Sequence, residues 1–130
     1  MNDKFVIAVS FDNTIATPDY DLVPGADKWM NYYYQLGIYQ ILWTVRGGES
    51  LKKAESFCDK SRIKLWSVNE RPRQWSWTDS KKAAADIYVD SRAIGCPMTV
   101  FNGHAVVDWD IVGPIVRARW ENAVGETCER

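Results

Sequence analysis

Phe5-Val-Ile-Ala-Val-Ser-Phe-Asp-Asn-Thr-Ile-Ala16 is the stretch whose reading decides the fold. Its apolar, β-branched run from Phe5 to Val9 lacks polar alternation, the pattern of a strand buried on both faces. The run stops at Ser10-Phe11-Asp12-Asn13-Thr14, a cluster of short polar side chains. A buried parallel strand ending this way presents those groups at its carboxyl end, where ligands bind in open α/β sheets. Taken alone, the cluster reads equally well as a strand-ending turn.

The same alternation continues outward. After a loop at Thr17-Pro18-Asp19-Tyr20-Asp21, Pro24-Gly25-Ala26-Asp27 leads into a helix ending near Gly37, a C-cap glycine. Tyr39 to Thr44 is a second strand and Glu49 to Lys60 a second helix, with Leu51, Ala54, Phe57 and Cys58 on one stripe. Ile63 to Val68 is a third strand, Ser80 to Ala85 a helical turn, and Asp86 to Asp90 a fourth strand. Asn102-Gly103 between two apolar runs marks a hairpin over Met98 to Val107. A helix follows from about Asp110 to Ala123, with Pro114 in its first turn or kinking it, and a frayed tail from Gly125 to Arg130. Strands alternating with helices predict a single α/β domain over residues 1–130: a Rossmann-like, mainly parallel sheet wrapped on both faces, with a C-terminal β-hairpin and helix.

Composition narrows the function. The chain has 130 residues, a net charge of -1 and ordinary globular proportions apart from seven tryptophans. That charge argues against a whole-surface attraction to nucleic acid or anionic lipid and leaves room for a local basic patch. No apolar run approaches the roughly 20 residues of a membrane span, and no signal-peptide core precedes the first strand. Cys58, Cys96 and Cys128 have no metal-ligand spacing, which together with the absent leader predicts a reducing, cytoplasmic setting.

Right-handed crossovers bring the strand tips to one edge. Ser10 and Asp12, Thr44 and Arg46, and Asp90 with Ser91 and Arg92 should meet there, with Lys82 reaching the same edge. Several acids and hydroxyls with a lysine make an anion and metal site the expected occupant of that edge.

These residues resemble the haloacid dehalogenase-like superfamily of phosphohydrolases, in its compact bacterial and phage form without a separate cap domain. The similarity runs from about Phe5 to Gly95. Ser10-Phe11-Asp12-Asn13-Thr14 stands where that family has Asp-x-Asp-Gly-Thr, and Leu42-Trp43-Thr44-Val45-Arg46 matches its second motif. Lys82 followed by Ala85-Asp86-Ile87-Tyr88-Val89-Asp90-Ser91-Arg92 matches its third and fourth. The resemblance implies that the first acid attacks phosphorus, the second protonates the leaving oxygen, and Mg2+ bridges nucleophile and phosphate. It implies phosphate-binding roles for Thr44, Arg46 and Lys82, and metal-binding roles for Asp12, Asp90 and the position of Ser91.

The departures fall on the chemistry. Ser10 occupies the nucleophile position, and Ser91 replaces the second acid of the fourth motif. A neutral hydroxyl is a poor magnesium ligand, so Mg2+ should be held weakly or not at all. Asp12 as an alternative nucleophile would put the family threonine on Ala16. Outside the motifs, Arg71, Arg73, Trp75 and Trp77 form a basic aromatic loop suited to stacking a base or anchoring a partner. The Tyr32-Tyr33-Tyr34 run must expose at least one ring, hinting at self-association. His104 reads as a turn-flanking residue, and Asp108 and Asp110 as helix caps. Three functions stay open: a degenerate protein that binds a phosphorylated small molecule or a partner with little turnover, an active Mg2+-dependent phosphatase of nucleotides or similar molecules using Asp12, and a non-enzymatic protein- or nucleic-acid-binding module.

Overall fold

The computed structural model describes residues 4–128, with side chains through residue 125. Its elements are β1 (Val6–Val9), α1 (Ala26–Gln35), β2 (Tyr39–Leu42), α2 (Gly48–Lys60), β3 (Ser67–Val68), β4 (Ile87–Val89), β5 (Met98–Phe101), β6 (His104–Val107) and α3 (Trp109–Cys128). The first four strands form a parallel sheet in the order β3-β2-β1-β4, and β5 and β6 form a separate antiparallel hairpin. The expected α/β architecture is present. No described helix is long and apolar enough to cross a membrane.

β1 lies between β2 and β4 and is buried along its whole length, which is why its sequence carries no polar alternation. Ile7 and Val9 face one large core. Met30 and Tyr33 of α1, Ala54 and Cys58 of α2, and Val112 and Val116 of α3 all join it. α1 closes with a left-handed Gly37 (φ 86°), whose N–H donates to Tyr34 O while Ile38 N–H donates to Tyr33 O. That paired C-terminal closure is what the glycine predicted. Of the tyrosine run, Tyr33 is buried and Tyr34 exposed. Asn102 and Gly103 both take positive φ, as a two-residue hairpin turn requires. Asp108 accepts the Asp110 N–H at 3.1 Å and so caps α3.

The expectation of helices on both faces is corrected. Val6, Ala8, Ile41 and Ala83 form a second, smaller cluster with Tyr39, Trp43, Trp66 and Tyr88, and no member of it lies on a helix. All three helices contribute to the other core, and the β3-to-β4 crossover alone covers this face. The helical turn expected at Ser80 to Ala85 is absent, because side chains take its backbone groups. Gln74 binds Lys82 O at 2.7 Å and Ala84 N–H at 3.4 Å, and Arg71 donates to Ala84 O at 3.1 Å. A segment that short does not nucleate a helix against such competition. The third strand shrinks to Ser67–Val68 for a similar reason: the Gln40 amide occupies Lys64 O at 3.0 Å. The tail expected to fray stays helical through Cys128, supported upstream by an Arg117–Glu121 pair one turn apart. Residues 129–130 lie outside the described residues.

Two tests follow from this packing. A Cβ added at Gly113 would lie 2.2 Å from the Trp29 indole. Glycine to alanine inside a helix ordinarily stabilises by roughly 0.5–1 kcal/mol. Gly113→Ala should instead destabilise by about 1–3 kcal/mol, read as a lower urea midpoint at unchanged slope. Burial lifts the Cys58 thiol from 9.0 to about 12, with Glu55 adding to the effect, and burial also raises the Tyr33 phenol. Both groups keep their protons in the folded chain after the unfolded chain has released them. Stability should therefore be undiminished by these groups below about pH 9 and fall as pH rises toward about 12, with Cys58→Ala removing part of the fall in urea midpoint.

Candidate functional site

Parallel pairing brings the tips of β1, β2 and β4 level. Ser10 N–H donates to Val89 O at 2.9 Å, and Trp43 N–H donates to Val9 O at 2.8 Å. A cavity of about 260 Å³ opens there, lined by Ser10, Asp12, Thr44, Asn69, Asp90 and Ser91, with Phe11, Trp43, Val45 and Arg92 completing the wall. Six of the residues expected at this edge, Ser10, Asp12, Thr44, Asp90, Ser91 and Arg92, therefore share one cavity.

Hydroxyls dominate its floor. Ser10 is 8% exposed, and its Oγ lies 2.5 Å from Thr14 Oγ1. Thr14 Oγ1 also accepts the Ser91 N–H at 3.2 Å. The Ser91 hydroxyl donates to the backbone carbonyl of Asp12 at 3.0 Å. Asn13, at φ 58°, adopts the left-handed turn that lets the chain double back from Asp12 to Thr14. Thr14 is pinned from below as well, since the buried Trp109 indole donates to its carbonyl at 2.8 Å.

The Asp12 carboxylate is committed to Arg46. Arg46 Nε donates to Oδ2 at 3.0 Å and Nη2 to Oδ1 at 2.7 Å, a bidentate pair. Arg46 Nη1 donates to the Tyr20 hydroxyl at 2.7 Å, and the guanidinium lies over the rings of Phe11 and Tyr20. The bond to Asp12 holds the Arg46 pKa above its ordinary value, against an opposing effect of burial. Beyond the end of β2, Asn69 accepts the Thr44 N–H at 2.7 Å, and the Thr44 hydroxyl accepts the Arg46 N–H at 3.1 Å. The N–H groups of Phe11, Asp12 and Val45, all cavity residues, donate to no partner among the described residues.

Other expected residues lie elsewhere. Lys82 does not line the cavity; its ammonium sits 5.0 Å from the Tyr88 ring centroid, on the helix-free face. The crossover backbone, fixed by Gln74 and Ser80, carries it there. Arg71 is 6% exposed and spends its guanidinium on Ala84 O and the Trp75 ring, so it braces the loop. Arg73, Trp75 and Trp77 are exposed and stand outside the cavity. His104 flanks the hairpin turn and binds Asp19 at 3.1 Å. Thr14, Asn69, Tyr20 and Trp109 were not singled out from sequence. Thr14 was legible as a hydroxyl inside the first motif, whereas nothing local ties Trp109 to a carbonyl 95 residues away.

Removing Arg46 tests the pair. The Asp12 side chain is 41% exposed, so solvent offsets part of the loss. Arg46→Met should cost about 1–2 kcal/mol in urea unfolding. A double-mutant cycle with Asp12→Asn should return a coupling well above the few tenths of a kcal/mol typical of exposed pairs.

No protein-family model matches this chain, and no curated protein matches it. Among solved structures it is similar to a conserved protein from Bacteroides thetaiotaomicron. The two are 27% identical over 89% of this chain and 92% of that one, with a TM-score of 0.72. That similarity bears on the α/β fold described above.

Proposed function

We propose that this chain is a degenerate relative of the haloacid dehalogenase-like phosphohydrolases, binding a phosphorylated small molecule at its strand tips with little or no turnover. The observation carrying this reading is the hydroxyl network of Ser10, Thr14 and Ser91, standing where the resemblance places two carboxylates. A serine nucleophile needs a nearby base, and the sole histidine, His104, is engaged with Asp19 instead.

The donors also suit magnesium poorly. Mg2+ requires hard, mostly charged oxygen ligands in near-octahedral array. Ser10 is neutral, the Asp12 carbonyl already accepts the Ser91 hydroxyl, and the Asp12 carboxylate is bound by Arg46. Asp90 remains, and its Oδ1 accepts the Arg92 N–H at 2.9 Å. Among the described residues no three His, Cys, Asp or Glu side chains are grouped to hold an ion. Phosphoryl oxygens would instead be met by the Ser10 and Thr44 hydroxyls, the undirected amides of Phe11, Asp12 and Val45, and Arg92 at the rim. Asp12 as a working nucleophile is the weaker reading, because each of its carboxylate oxygens already accepts a hydrogen bond from the guanidinium. The free thiols of Cys58 and Cys96 favour a reducing, cytoplasmic setting.

Thermal shift with inorganic phosphate and a nucleoside monophosphate panel tests the binding. A member of the panel should raise the melting temperature equally with and without Mg2+, while phosphate release stays at background. The double substitution Ser10→Asp with Ser91→Asp should bring Mg2+-dependent phosphate release. Brisk release by the unaltered chain, or no stabilisation by any phosphate compound, would overturn the reading.

A further inference from the structure

We propose that the helix-free face of the sheet, with the crossover that covers it, binds single-stranded nucleic acid. The proposal stands on observations separate from the strand-tip cavity. On this face aromatic rings alternate with cations. Tyr39 packs edge-on against Trp66 at 4.8 Å, and Lys4 Nζ lies 5.5 Å from the Tyr39 centroid. Trp43 packs edge-on against Tyr88 at 6.2 Å, and Lys82 lies 5.0 Å from the Tyr88 centroid. On the crossover, Trp75 and Trp77 stack at 5.9 Å with planes 23° apart, and Arg71 lies 5.4 Å from Trp75.

The exposed part of this surface carries two indoles and several cations. Between residues 60 and 90, the exposed large hydrophobic side chains among those described are Trp75, at 44%, and Trp77, at 78%. Arg73, Lys81 and Lys82 are exposed beside them and form no ion pair among the described residues. Along the crossover itself, residues 69–86, four basic side chains (71, 73, 81 and 82) stand with three acidic ones (70, 79 and 86).

Exposed indoles with the exposed cations of Arg73, Lys81 and Lys82 on the same crossover match an occupant with unstacked bases and a phosphate backbone. Each base laid on an aromatic ring is worth about 1–3 kcal/mol, and the cations release counterions from the phosphates. A duplex keeps its base faces hidden and would meet only the charge.

Anisotropy of a fluorescein-labelled oligodeoxythymidine of about 20 nucleotides, at about 50 mM salt, tests this. Binding in the micromolar range should quench tryptophan fluorescence, and log Kd should rise with log salt at a slope of about 2, as expected for three cations. Trp77→Ala should weaken binding about tenfold with unchanged circular dichroism, and Lys81→Glu with Lys82→Glu should flatten the salt slope. The corresponding duplex should bind several-fold more weakly. Inorganic phosphate at matched ionic strength should not compete, which separates this surface from the cavity. No binding at about 50 µM protein, equal affinity for duplex, or indifference to Trp77→Ala would overturn the proposal. A dimer in gel filtration that dissolves on Trp77→Ala would overturn it in favour of self-association, and competition by phosphate in favour of the cavity.

Discussion

Thr14 ties the first strand, the fourth strand and the C-terminal helix together. Its hydroxyl lies 2.5 Å from Ser10 Oγ and accepts the Ser91 N–H, while its carbonyl receives the Trp109 indole. Thr14 and Trp109 are almost wholly buried, so each of these polar groups must find a partner inside the protein or carry the full cost of desolvation. The turn that returns the chain to Thr14 requires a left-handed residue at Asn13, and that turn sets the direction in which Asp12 leaves the strand. The shape of the cavity floor therefore depends on a hydrogen-bonded knot assembled from three distant parts of the chain.

Replacing carboxylates with hydroxyls at such a knot changes what the fold must neutralise. Two acids this close together require a compensating cation, because like charges at a shared site disfavour joint ionisation. With serines at positions 10 and 91 the floor closes on neutral hydrogen bonds, and the Asp12 carbonyl is satisfied by Ser91. One carboxylate at position 12 remains, and Arg46 meets it from the loop after β2 with planar, two-point geometry. Phe11 and Tyr20 pack against that guanidinium, with Phe57 against both rings, so charge, hydrogen bonding and aromatic packing hold it in one orientation.

The sheet's two faces are finished in different ways. One is sealed by aliphatic packing against three helices, with Gly113 admitting the Trp29 indole where any side chain would collide. The other is roofed by an irregular crossover held by Gln74, Arg71 and aromatic contacts. Large rings cover more surface per residue than aliphatic chains do, so a few of them bury Val6, Ala8 and Ile41 without a helix. The consequence is a face on which Trp75 and Trp77 remain open to solvent.

Local pattern was enough for the elements whose cause is local. The unbroken apolar run of β1, the glycine that ends α1, the stripe of α2 and the Asn102-Gly103 turn each express a backbone or burial requirement within a few residues. The polar strand endings likewise marked Ser10, Asp12, Thr44, Asp90 and Ser91 as neighbours, because parallel pairing aligns strand tips regardless of what lies between them. Tertiary structure decided the rest. The alanine-rich stretch before β4 favours a helix by composition, yet Gln74 and Arg71 take its backbone groups. Lys82 sits shortly before a motif that ends in the cavity, yet the crossover's path carries it onto the Tyr88 ring of the helix-free face and out of the cavity lining. Propensity and spacing act over a few residues, whereas the partner of a buried carbonyl or carboxylate is chosen by whichever distant side chain folding brings within 3 Å of it.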